Sequence, residues 1–171
     1  CIEIKGPYPR ALMVLGEIAL KRSGPGLAEP LILDALRLAE EGGDVLDQIG
    51  ALNNLAAIAR NYDLSKSRFY IERSIEMLSK VDNPKQEATS FLTLANICQD
   101  QHDFESAIQN YEHSLQIFRH LNNPKEEGTT LQNLANCYDQ YNRPDDAEKY
   151  IDQSIEIFKE IGDSYGKANS Y

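Results

Sequence analysis

Apolar and small residues recur at i, i+3, i+4 and i+7 along most of this chain, the spacing of one helix face. Leu12, Leu15, Gly16 and Ala19 form one such stripe, and Ala28, Leu31, Ile32, Ala35, Leu36 and Ala39 form the next. Leu52, Leu55, Ala56 and Ala59 repeat the first pattern, and Ser67, Ile71, Ser74, Ile75 and Leu78 repeat the second. Further on, Leu131, Leu134, Ala135 and Tyr138 are followed by Ala147, Ile151, Ser154, Ile155 and Phe158. No stretch shows sustained β alternation. The expected fold is all-α, built from pairs of helices each about 17 residues, or roughly 25 Å, long.

The joints between stripes carry stop and start signals. Gly24-Pro25-Gly26 ends one helix and Gly42-Gly43 another, as glycine does where a left-handed residue closes the last turn. Asn83 and Asn123 precede Pro84 and Pro124. An Asn side chain at a helix cap accepts from an orphan backbone N–H, and proline in the first turn gives up a donor that had no partner. Gln86 and Glu126, three residues after the caps, fit a capping box. Asp44 and Asp163 stand at the same cap position after Gly43 and Gly162.

The pattern also repeats as sequence. Asn83-Pro84-Lys85 returns as Asn123-Pro124-Lys125, Leu94-Ala95-Asn96 as Leu134-Ala135-Asn136, and Ile117-Phe118 as Ile157-Phe158, each 40 positions on. The second copy is one residue shorter in its internal turn. A fixed period of this size marks a repeat array in which stacked helix pairs share one core. The expected organisation is a lead-in at 1–9 and an array over 10–171, with copies at 10–43, 44–82, 83–122 and 123–162 and a partial fifth at 163–171. The chain starts at Cys1 and stops at Tyr171 inside a helical pattern, so a piece of a longer protein is expected.

Net charge is −10, and it is unequal: residues 1–82 carry 10 basic against 12 acidic groups, residues 83–171 only 7 against 15. So acidic a chain does not hold phosphate backbones by charge, and nucleic acid is excluded as a partner. No run reaches the roughly 18 apolar residues of a membrane span. Three cysteines without a C-x-x-C spacing support neither a disulfide framework nor a zinc site, and a cytoplasmic setting is expected.

The order large-x-x-Leu-small-x-x-aromatic, then Ala-x-x-x-large-x-x-small, resembles the tetratricopeptide repeat. Leu131, Leu134-Ala135, Tyr138, Ala147, Ile151 and Ser154 carry it best, and Phe91, Leu94-Ala95, Cys98, Ala107, Tyr111 and Ser114 give it again. The family's tryptophan is replaced by Leu12, Leu52, Phe91 and Leu131, its closing proline is missing, and the period is longer than usual. HEAT-type repeats share the length but not the small-residue pattern. The resemblance implies a right-handed α-solenoid of antiparallel helix pairs whose first helices line a concave groove.

If the groove carries over, its stripe comprises Met13, Glu17 and Lys21, then Asn53, Ala57, Arg60 and Asn61, then Thr89, Leu92, Asn96, Gln99 and Asp100, and last Thr129, Gln132, Asn136, Asp139 and Gln140. From these, Asn53, Arg60, Asn96, Gln99, Asp100, Gln132, Asn136, Asp139 and Gln140 are the candidate peptide-binding residues. Asn96 and Asn136 are equivalent, and a side-chain amide offers a donor and an acceptor to an extended backbone. Ordinary polar decoration of a helix pair is the competing account. The family's carboxylate clamp needs a basic residue where Leu92 and Gln132 stand, so that clamp is not expected.

Chemistry for catalysis is thin. Gly24-Pro25-Gly26 lacks the Lys that a phosphate loop requires. His113 and His120, with Glu112, share a helix but do not make the three or four convergent ligands of a metal site. Cys98 and Cys137 fall on or beside core faces. No catalytic, metal or cofactor residue is assigned, and an enzyme is not expected. The expected function is a protein-interaction module that binds a peptide or partner segment in the groove. The alternative is a regulatory or sensor array of a multidomain signalling protein, self-associating through an exposed last pair around Ile151, Ile155 and Phe158.

Overall fold

The computed structural model describes residues 8–162. Among them are eight helices and no strand: α1 (Pro9–Ser23), α2 (Pro25–Gly42), α3 (Val45–Ala59), α4 (Leu64–Leu78), α5 (Pro84–Asp100), α6 (Phe104–His120), α7 (Pro124–Gln140) and α8 (Pro144–Glu160). None is long and apolar enough to cross a membrane. The chain divides into two compact units, Cys1–Asp82 and Asn83–Tyr171. Most of the lead-in and the partial fifth copy, with its Asp163 cap, lie outside the described residues.

In the first unit each helix packs on the next, and α1 also meets α3. A single residue, Gly24 at φ 84°, joins α1 to α2. Gly43 at φ 69° closes α2: its N–H donates to Glu40 O, and the Asp44 N–H reaches back to Ala39 O at 3.0 Å. The Asp44 carboxylate then caps α3 by accepting from the Asp47 N–H at 3.0 Å. The turn from α3 to α4 runs from Arg60 to Asp63. It has no positive-φ residue, and the Asp63 N–H instead donates to Ala59 O at 2.7 Å. Ala28, Ile32, Ala35, Leu52, Ala56 and Ile71 are fully enclosed. At Gly16 even a Cβ would lie 2.3 Å from Ile32 Cδ1, so the missing side chain is what lets α2 approach α1.

One expected core position is corrected. Leu15 is 51% exposed, beside Val14 and Ile18. Its equivalents Leu55 and Leu134 are buried because α2 lies against α3 and α6 against α7. Among the described residues α1 has no helix preceding it.

The second unit repeats the order, α5 on α6, α6 on α7 and α7 on α8. Its turns are more regular. His102, Asn122 and Asn142 adopt φ 61°, 51° and 60°, and Gly162 adopts 70°. At the first three of these the following N–H donates back to the carbonyl five residues earlier, Cys98, Phe118 and Tyr138 respectively, which satisfies the carbonyls that a helix end leaves orphaned. Asn83 and Asn123 cap α5 and α7 by accepting from the Gln86 and Glu126 N–H groups at 3.2 and 3.5 Å.

Small residues decide how close the paired helices come. Ser114 Oγ donates to Ala88 O at 2.8 Å, and Ser154 Oγ to Gly128 O at 2.9 Å. A Cβ on Gly128 would meet the Phe158 ring at 2.8 Å. Phe158 is therefore only 2% exposed and belongs to the core of its own pair, which corrects its assignment to an exposed terminal face. Ile151 and Ile155 are half-buried.

Candidate functional site

The polar edge of the second unit is built on α5 and α7. Both helices start at an Asn cap and a first-turn proline, so they share a register, and Asn96 and Asn136 stand at matching positions. Their side chains do not stand alone. Asn136 Oδ1 accepts from Gln99 Nε2 and from Gln140 Nε2, both at 2.7 Å. The first of these bonds crosses from α5 to α7. Tyr111, rising from α6, places its hydroxyl 2.6 Å from Asn96 Oδ1 and 2.7 Å from Gln99 Oε1. A hydroxyl carries one proton, so it donates to one of these oxygens at a time. The ring of Tyr111 is fully buried while its oxygen holds the edge.

Four of the nine candidate residues are thus brought together: Asn96, Gln99, Asn136 and Gln140. Asp139 is exposed near the end of α7, and Asp100, the last residue of α5, is exposed too. Gln132 is half-buried, two turns before Asp139. Asn53 and Arg60 belong to the first unit, on α3 and at its C-cap. Tyr111 entered the sequence analysis only as part of the repeat pattern, not as a candidate site residue. The available signal was its hydroxyl at a register where the fourth copy has Ile151.

The corresponding edge of the first unit is different. Leu20 of α1 stands where α5 has Gln99, and Ala57 of α3 where α7 has Asn136. Neither of these two residues is an amide. Glu17, Leu20, Ile32, Asn54, Ala57 and Ile58 instead line a recess of about 150 Å³. Asn54 Nδ2 donates to Glu17 Oε1 at 3.3 Å across its rim.

The remaining chemistry is structural. Burial pushes the Cys137 thiol up to about 11, with Cys98 nearby adding to the effect, so it stays a protonated core thiol. Both cysteines are buried. Burial, then the neighbouring Tyr150, raises Tyr138 to about 12. The two rings stack with centroids 5.3 Å apart, and the Arg143 guanidinium lies 5.2 Å from the Tyr138 ring centroid. His113 does not turn to His120. Its ring packs on Phe91 at 4.1 Å, and its Nε2 lies 3.5 Å from Glu87. Among the described residues no three His, Cys, Asp or Glu side chains gather to hold a metal.

Comparison with known proteins bears on the fold. The family model described as tetratricopeptide repeat matches residues 86–160. No curated protein sequence matches the chain. Solved structures superpose closely at low identity. BtubC from P. vanneervenii gives a TM-score of 0.83 at 19% identity, over 95% of this chain and 69% of that one. A signal transduction ATPase with numerous domains and a tetratricopeptide repeat sensor, from Pyrococcus horikoshii, gives 0.84 at 15%, over 95% of this chain and 25% of that one. A Rap protein complexed with competence and sporulation factor gives 0.86 at 13%, over 95% of this chain and 46% of that one.

Proposed function

We propose that this chain, a tetratricopeptide repeat protein, is a module for binding other proteins, and that the α5–α7 edge of its second unit holds an extended partner segment. The observation that carries the reading is the shared amide row from Tyr111 through Asn96 and Gln99 to Asn136 and Gln140. Two donors saturate the Asn136 carbonyl oxygen, which leaves its amide N–H groups for a peptide carbonyl. The row holds the amide before any ligand arrives, so less side-chain freedom is lost on binding. Asp100 and Asp139 at the same edge favour basic or neutral side chains in the ligand. The concave groove of the family is the surface proposed, and the likeness to a Rap protein solved with a bound factor supports it at the level of fold.

The test starts from a phage library of random dodecapeptides panned against the whole chain. Peptides that bind are then measured on wild type and on Asn136→Ala/Gln140→Ala. Both side chains lie at the surface, so the fold is expected to persist, as helicity and the unfolding midpoint will show. Loss of one or two peptide hydrogen bonds at about 1 kcal/mol each predicts affinity roughly tenfold weaker. Unchanged affinity for every selected peptide would remove the amide row as the binding surface. A second reading, a regulatory or sensor array, is favoured by the likeness to the repeat sensor of the signal transduction ATPase. An ATPase, kinase or DNA-binding domain in the same reading frame would select it.

A further inference from the structure

We infer that the recess between α1 and α3 is a pocket for one leucine-, methionine- or phenylalanine-sized side chain of a partner segment, with a positively charged neighbour meeting Glu17. The inference rests on the interaction-module reading and gives it a chemistry in the first unit that the second unit lacks. At the seam where Gln99 and Asn136 bridge α5 to α7, the first unit has Leu20 and Ala57. Ala57 has no side chain long enough to cross, and Leu20 has nothing to donate. The gap therefore stays open, walled by Leu20, Ile32, Ala57 and Ile58.

Its size and lining decide what fits. An enclosed apolar cavity of about 150 Å³ takes a benzene-sized group, and this recess, open to solvent at its rim, has about that volume. A lysine or glutamate head placed inside would lose its water and find only the rim to bond. The rim itself is Glu17, exposed and bonded to Asn54 by one carboxylate oxygen. This rim carboxylate favours a cationic or N–H-bearing residue next to the apolar one.

The same dodecapeptide library, panned on the whole chain, tests this directly. Selected peptides are labelled with fluorescein and measured by anisotropy on wild type, Ala57→Leu, Glu17→Gln and Asn136→Ala. Ala57 is exposed, so a leucine there fills the recess from the surface, and an unchanged unfolding midpoint will show that the fold is kept. The expected result is a set of peptides carrying an aliphatic or phenyl side chain beside Lys or Arg. Ala57→Leu weakens them about tenfold or more, since the excluded side chain forfeits its burial. Glu17→Gln weakens them less, and most at low salt. Peptides that bind Ala57→Leu as well as wild type overturn the pocket. If those same peptides weaken on Asn136→Ala, the amide-row reading stands while the pocket falls. If neither variant matters, both fall, and a library that yields no binder also counts against both. A direct arm uses N-acetyl-leucinamide and the methyl resonances of Ala57 and Ile58. Shifts there that vanish in Ala57→Leu support the pocket, and no shift at high millimolar concentration overturns it.

Discussion

In the second unit, consecutive first helices are joined at their edge by amides. In the first unit, the same register is apolar and open. Two substitutions make the difference, Leu20 for Gln99 and Ala57 for Asn136, on helices whose buried faces follow one pattern. The core pattern thus fixes where the seam runs and leaves free what the seam presents. A second contrast lies inside the pairs. At one register α3 has Ile49, α5 has Ala88 and α7 has Gly128. Where that residue is small, the serine on the partner helix reaches its carbonyl, as Ser114 and Ser154 do. Where it is Ile49, the equivalent Ser74 hydroxyl is buried with no partner. A branched side chain at that register packs less closely than Ala or Gly, which accounts for the missing bond.

The sharpest way to break this contrast is to make the closest pair wider. Gly128→Ala improves helix propensity by up to about 1 kcal/mol. It also drives a methyl into the Phe158 ring, whose nearest atoms stand 2.8 and 2.9 Å from the new Cβ. A buried ring cannot swing aside as the end of an aliphatic chain can, and overpacking of this kind costs about 1–3 kcal/mol. The net expectation is a loss of about 1–2 kcal/mol by chemical denaturation, with the Ser154 bond to Gly128 weakened as the helices part. A gain in stability would show that the pair has slack, and the account of small residues would fail.

A smaller effect reads the serines themselves. Ser114→Ala deletes a buried hydrogen bond to Ala88 and is expected to cost about 1 kcal/mol. Ser74→Ala removes a hydroxyl that pays desolvation without a bond, so it is expected to be neutral or to stabilise by up to about 1 kcal/mol. A loss from Ser114→Ala beside no loss or a gain from Ser74→Ala, measured side by side in urea, is the signature sought. Equal losses would mean that Ser74 is bonded after all.

These contrasts mark where the sequence could be read and where it could not. Periodicity located the helices, because burying one face of each is what the spacing encodes, and the Asn and Asp caps stand where the joints placed them. Leu15 misled because its letter matches Leu55 and Leu134 while its burial depends on a neighbouring helix, and no letter states that neighbour. Asn96 and Asn136 were visible as equivalents. Their joining through Gln99 and Tyr111 was not, because it runs between helices and depends on side-chain reach. The recess was invisible for the same reason. Ala57 reads as a small residue on a stripe, and only the absence of anything opposite makes it a wall.

The smallest expected effect separates the units by pH. In the first unit, Glu29 of α2 accepts from the Lys66 ammonium of α4 and, at 2.7 Å, from the Tyr62 hydroxyl. In the second unit, Tyr141 donates to Glu105 and its ring stacks on Phe104 at 5.3 Å, with aromatic packing in place of the lysine. The hydrogen bond from Lys66, then that from Tyr62, holds the Glu29 carboxyl below its ordinary range, and the Glu29 bond is the main cause that raises Lys66 to about 12. A depressed carboxyl contributes stability above its unfolded value and loses it as pH falls through the lower folded value. A raised ammonium contributes below its unfolded value and loses it as pH climbs toward about 12. The tie is therefore strongest near neutral pH and fades at both extremes. The Lys66 side chain is 38% exposed, so solvent screening keeps the gain below about 1 kcal/mol. Glu29→Gln is expected to lose that fraction at pH 7 and to match wild type at the acid limit, where the native carboxyl is also neutral. A penalty that persisted unchanged in acid would assign the contact to packing rather than charge, and the two units would then be tied in the same way.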